Sequence, residues 1–74
     1  MDFVKIDKQF VHGAALSNRG TDLFASMVDL SHRLSAQTVV EGAETAQHLE
    51  LAQQAGANFV QGYFLGLPKP ITDY

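Results

Sequence analysis

Seventy-four residues allow at most one small domain, and 46% hydrophobic content belongs to a globular piece rather than a disordered one. A formal net charge of −3 argues against an electrostatic binder of nucleic-acid polymers, and the lack of cysteine excludes a disulfide framework or a thiolate metal site. No apolar run approaches the ~20 residues that span a bilayer, and the N-terminus lacks the apolar stretch of a signal peptide, so the expected location is cytoplasmic.

The first predicted element is a strand near 3–7. Alternation along Phe3-Val4-Lys5-Ile6-Asp7 puts Phe3, Lys5 and Asp7 on one face and Val4 and Ile6 on the other. Residues 8–20 read as a connecting stretch, with Gly13 and Ser17-Asn18-Arg19-Gly20 supplying turn chemistry. A helix is predicted over 21–35, capped by Thr21. Leu23, Met27, Leu30 and Leu34 recur at helical period, flanked by Phe24 and Val28, and read as a core stripe. A second strand near 37–41 is followed by a helix over 45–55, with Thr45 as N-cap and Gly56 as the residue past its end. A third strand lies near 58–61. Pro68 and Pro70 frame an extended loop, and Ile71-Thr72-Asp73-Tyr74 reads as the start of another helix.

The pattern is therefore α/β, in the order β-α-β-α-β with parallel strands. Such a series gathers all three strand C-termini on one sheet edge, where α/β proteins build active sites. Lys5, Asp7, Glu41 and Gln61 stand at those ends and are expected to converge. A lysine within a covered sheet needs an anionic partner, so a Lys5–Glu41–Asp7 cluster is self-consistent, whether as a structural ion pair or as a site. Glu41 suits acid–base work, Glu44 lies on the rim of the same turn, and the Gln61 amide can position a water or a phosphate oxygen without adding charge. Tyr63 and Phe64 read as packing. His12 is in reach of the site, whereas His32 and His48 fall on helices and read as solvated.

Three ordered segments carry a resemblance. Asp2-Phe3-Val4-Lys5-Ile6-Asp7, Val40-Glu41-Gly42-Ala43-Glu44-Thr45, and Gln61-Gly62-Tyr63 followed by Pro68 resemble, in order and interval, the C-terminal part of an EAL domain, the bacterial cyclic di-GMP phosphodiesterase family. The resemblance covers essentially the whole chain. It implies that residues 1–74 are a C-terminal fragment of one EAL domain, about the sixth to eighth βα units of a TIM-like (β/α)8 barrel that is incomplete here.

It further implies hydrolysis of cyclic di-GMP to linear pGpG with Mg²⁺ or Mn²⁺ in the intact domain. Lys5 and Glu41 would be catalytic, Lys5 against the attacking water or the scissile phosphate and Glu41 orienting that lysine or taking the proton of the water. Asp7 would support the cluster and the surroundings of the metal, and is the one candidate metal ligand. Glu44 would steady the site loop, Gln61 would hold water or substrate, and Pro68 would lie near one guanine. The Glu-Ala-Leu signature and the Asp-Asp metal-ligand motif are not in these residues. The fragment alone is thus expected to bind no metal tightly and to be inactive. The competing readings are a non-catalytic α/β interaction module, or a degenerate EAL domain that binds cyclic di-GMP or a protein. Self-association through open sheet edges is expected in either case.

Overall fold

A computed structural model describes residues 2–62 and 66–71, with residues 66–69 described through their backbone. The elements in chain order are β1 (Asp2–Ile6), α1 (Lys8–Leu16), α2 (Asn18–Arg33), β2 (Ala36–Val40), α3 (Ala46–Ala55), β3 (Phe59–Gly62) and β4 (Gly66–Pro70). The sheet order is β1-β2-β3-β4. The first three strands are parallel, and β4 returns antiparallel against β3.

The three parallel strands and α3 stand within a residue or two of their expected bounds. Each strand is a short run of β-branched or aromatic residues, and Thr45 caps α3 by accepting from the His48 N–H at 3.1 Å. Helices cover one face of the sheet. Ile6 and Val40 from the strands pack there with Val11, Ala14, Phe24, Val28, Ala52 and Val60. The opposite face carries Phe3, Lys5, Val39 and Phe59 and, among the described residues, has no helix over it. Phe3 and Phe59 lie in tilted contact across it, ring centroids 5.8 Å apart, and Phe3 is 55% exposed.

Four expectations are corrected. Residues 8–16 are a helix, not a connector. Asp7 caps it by accepting from the Gln9 N–H at 2.9 Å, and Val11 and Ala14 give it a buried stripe that outweighs the cost of Gly13. The next helix begins at Asn18, because Ser17 is extended and its Oγ accepts from the Gly20 N–H at 3.0 Å. Thr21 is not the cap. Its hydroxyl lies inside the helix and donates to the Ala14 carbonyl at 2.7 Å, joining α2 to α1. On α2 the buried line is Phe24, Val28 and Ser31, while Leu23, Leu30 and Leu34 are more than half exposed. The leucine stripe thus faces away from the core of this chain. Pro68 and Pro70 lie in β4 rather than in a loop, at the edge of the sheet, where a missing N–H is tolerated. Tyr63, Phe64 and a helix start at 72–74 lie outside the described residues.

Ser17→Ala should lower stability by about 1 kcal/mol, the usual worth of an N-cap hydroxyl, seen as an earlier midpoint in urea unfolding. Thr21 as the working cap would leave that midpoint unmoved.

Candidate active site at the carboxyl edge of the sheet

Register places the candidate residues. Lys5 pairs with Val39, and Val39 pairs with Phe59. Continuing that ladder by two residues sets Asp7, Glu41 and Gln61 side by side at the carboxyl ends of three neighbouring strands. Alternation turns Lys5, Glu41 and Gln61 to the face without helices. Backbone bonds close the edge beyond the regular strands. The Glu41 N–H donates to the Ile6 carbonyl at 3.0 Å, and the Ala43 N–H donates to the Gln61 carbonyl at 3.1 Å.

Two glycines make this closure possible. Gly42 has φ +71°, and a Cβ there would collide with the Lys8 side chain. Gly62 passes so close to the turn that a Cβ would overlap the Ala43 carbonyl oxygen. The turn at 41–44 and the end of β3 therefore interlock at backbone level.

The side chains are more loosely held. Among the described residues the salt bridge is Arg33–Asp29 at 2.9 Å, on the surface of α2. Lys5 makes no ion pair with Glu41 or Asp7, although all three share the edge. Lys5 is exposed on the uncovered face, so water solvates its ammonium and no carboxylate is required. It stands two residues, about 6.6 Å, below the level of Glu41, within the reach of a lysine side chain. Glu41 and Gln61 are half-buried, and Glu44 is exposed on the rim as expected. One Asp7 oxygen is engaged in capping α1. Of Pro68 only the backbone, in β4, is described. Among the described residues no group of three or more His, Asp or Glu side chains is placed to hold a metal ion. The described donors do not by themselves fit a divalent-cation site.

Of the three histidines, His48 corrects the sequence reading, and His12 reaches the turn as expected. His12 Nε2 donates to the Gly42 carbonyl at 2.8 Å. His48 is buried rather than solvated, and its Nδ1 accepts from the Glu44 N–H at 3.0 Å. The two rings stack, centroids 4.3 Å apart and 17° from parallel. Burial lowers the His48 pKa from its ordinary value. His12 pushes the same way, and Glu44 opposes. The overlooked signal was the spacing Thr45-x-x-His48, which sets a side chain three residues into α3 facing back toward the cap, as in a capping box. His32 is exposed as read, but its Nε2 donates to Asn58 Oδ1 at 2.8 Å, an oxygen that also accepts from the Thr38 N–H at 2.9 Å.

The family model described as EAL domain matches residues 1–68. Among curated relatives, the chain is 31% identical over 74 residues to the probable cyclic di-GMP phosphodiesterase PdeN of Escherichia coli (strain K12), covering all of the chain and 14% of that protein. It is 34% identical over 70 residues to the cyclic di-GMP phosphodiesterase PdeL of the same organism, covering 95% of the chain and 19% of the relative. Among solved structures, the EAL domain of FimX from Pseudomonas aeruginosa bound to c-di-GMP superposes with a TM-score of 0.83 at 29% identity, over 93% of the chain and 28% of that structure. An EAL domain protein from Listeria monocytogenes EGD-e gives a TM-score of 0.81 at 26% identity, over 99% of the chain and 30% of that structure. The chain spans less than a fifth of the length of these two curated relatives. The family model covers most of the chain and the superpositions share its fold, and the chain belongs to the EAL domain family as a segment of its barrel-like fold.

Proposed function

We propose that this chain supplies the C-terminal half-site of a cyclic di-GMP phosphodiesterase, as about the sixth to eighth βα units of its barrel. The observation that carries the reading is the register that sets Lys5, Glu41 and Gln61 on one uncovered face at one sheet edge. In the assembled domain a water adds to phosphorus and one ring P–O bond breaks, giving linear pGpG. Lys5 stabilises negative charge on the phosphate or orients the water, and Glu41 accepts the proton of the water. Gln61 holds the water or a phosphate oxygen. Asp7 fixes the start of α1 beside them, Glu44 forms the rim, and Pro68 lies beside a guanine. The ligands for Mg²⁺ or Mn²⁺, which supply Lewis acidity in such hydrolyses, would come chiefly from outside this chain. Among the described residues no helix is long and apolar enough to cross a membrane, and we place the half-site in the cytoplasm.

The reading is tested by replacing the matching segment of PdeL with this chain. The chimaera should convert cyclic di-GMP to pGpG when Mg²⁺ or Mn²⁺ is supplied, and Lys5→Ala should abolish the conversion. The 74-residue chain alone should yield no pGpG above a buffer control. A folded chimaera that binds the dinucleotide without cleaving it would replace this reading with that of a nucleotide-binding module. Open edges at β1 and β4 should make the isolated chain associate, checked by sedimentation across a concentration series.

A further inference from the structure

The turn at 41–44 has one backbone group bonded at each of its four successive residues. Glu41 N–H goes to Ile6 O and Ala43 N–H to Gln61 O, both of them strand-end bonds. Gly42 O goes to His12 Nε2 and Glu44 N–H to His48 Nδ1. Half of the turn is thus held by the sheet and half by two imidazoles stacked on each other. The bonds also fix the protonation pattern. Nδ1 of His48 can accept from an N–H only while it carries no proton, so the His48 proton is on Nε2. His12 must carry a proton on Nε2 to donate to a carbonyl.

We propose that His12 and His48 are positioning residues that hold the Glu41 turn in place, and that the hold opens when His48 Nδ1 takes up a proton. Its consequence for Glu41 rests on the phosphodiesterase reading, whereas the hold itself does not. Protonation replaces an acceptor with a second donor facing the Glu44 N–H, so the bond is lost and one end of the turn comes free. The charges that reach His48 are those of His12 on α1, which disfavours a second positive charge in the stack, and Glu44 on the turn, which favours it. Lys8 of α1 runs alongside Gly42, and β3 presents the uncharged Gln61 at this edge. Because the folded His48 pKa lies below the unfolded value near 6.5, the unfolded chain binds more protons as pH falls through 6.5. Stability is then full above that pH and declines below it, by up to tenfold in the unfolding constant for each unit of lowering.

The test is a pH titration of the 74-residue chain between 7.5 and 5 at fixed concentration, followed by NMR at the Glu44 amide and the His48 ring, with unfolding midpoints measured alongside. The Glu44 amide and His48 should titrate together with one midpoint below 6.5. His48→Asn places an amide oxygen where Nδ1 stands, so its Glu44 amide should stay bonded and no longer titrate, and its unfolding midpoint should lose most of the pH dependence. In His12→Gln the amide N–H can still reach Gly42 O without charge, and the His48 midpoint should move up toward 6.5. A Glu44 amide indifferent to His48, an unchanged His48 midpoint in His12→Gln, or no cooperative transition in any of the three proteins would overturn the proposal. Failure of the chimaera to cleave cyclic di-GMP would leave these readouts untouched.

Discussion

Lys5→Ala and Glu41→Gln, each placed in the assembled domain, should lower turnover about 100-fold, the scale expected when a reacting group is misplaced or lost. The double variant should be little worse than the poorer single one, because residues that act as a unit are strongly non-additive. Lys5 and Glu41 lie on one face, two residues apart in level on paired strands. The isolated chain shows no ion pair between them, since water serves Lys5 on the open face. Closing the barrel removes that water, and the ammonium then needs the carboxylate to remain charged in its place. Glu41→Gln leaves the shape but takes the counter-charge away, and Lys5 reorients or gives up its proton. Steady-state kinetics on the three variants decide the matter. Losses that multiply, or near-normal turnover in Glu41→Gln, would mean that the two groups work independently.

Gly62→Ala should be the most damaging change of a single methyl group. The new Cβ would overlap the Ala43 carbonyl oxygen, and both partners are backbone, so no side-chain rotation relieves it. Either β3 withdraws from the turn or the turn lifts from the sheet. The Ala43 N–H to Gln61 O bond is lost in both cases. Overpacking of this kind costs about 1–3 kcal/mol, a large part of the stability of so short a chain. The urea midpoint should fall accordingly. In the assembled domain kcat should fall as well, since Gln61 and Glu41 no longer share an edge. A wild-type urea midpoint in Gly62→Ala would show that the strand and the turn are not locked together.

Strands and α3 were legible because local propensity and burial agree there. Val39, Val40 and Val60 are β-branched, and α3 carries its own cap and stop. The helix α1 was illegible because its weak local signal, with Gly13 inside it, is rescued by packing on α2 and the sheet. The α2 stripe misled because it contains more leucine than this segment can bury. The line through Phe24 and Val28 is buried and Met27 packs beside it, whereas Leu23, Leu30 and Leu34 face away from the core of this chain. At the site, Lys5, Glu41 and Gln61 could be placed from strand ends alone, since the parity of a strand fixes the face. The imidazole pair could not. Its meeting depends on α1, a helix the sequence did not announce, crossing beside the cap of α3.

The bonds that shape the edge run through backbone atoms, with imidazoles and glycines completing them, and none of those described uses the side chain of Lys5, Glu41 or Gln61. Scaffold and proposed reagent are therefore separate in this segment. Residues 5, 41 and 61 can be exchanged without withdrawing support from the turn that carries them. A variant at these positions should leave the unfolding midpoint of the isolated chain at the wild-type value, so a loss of turnover in the assembled domain would not come from misfolding of this segment.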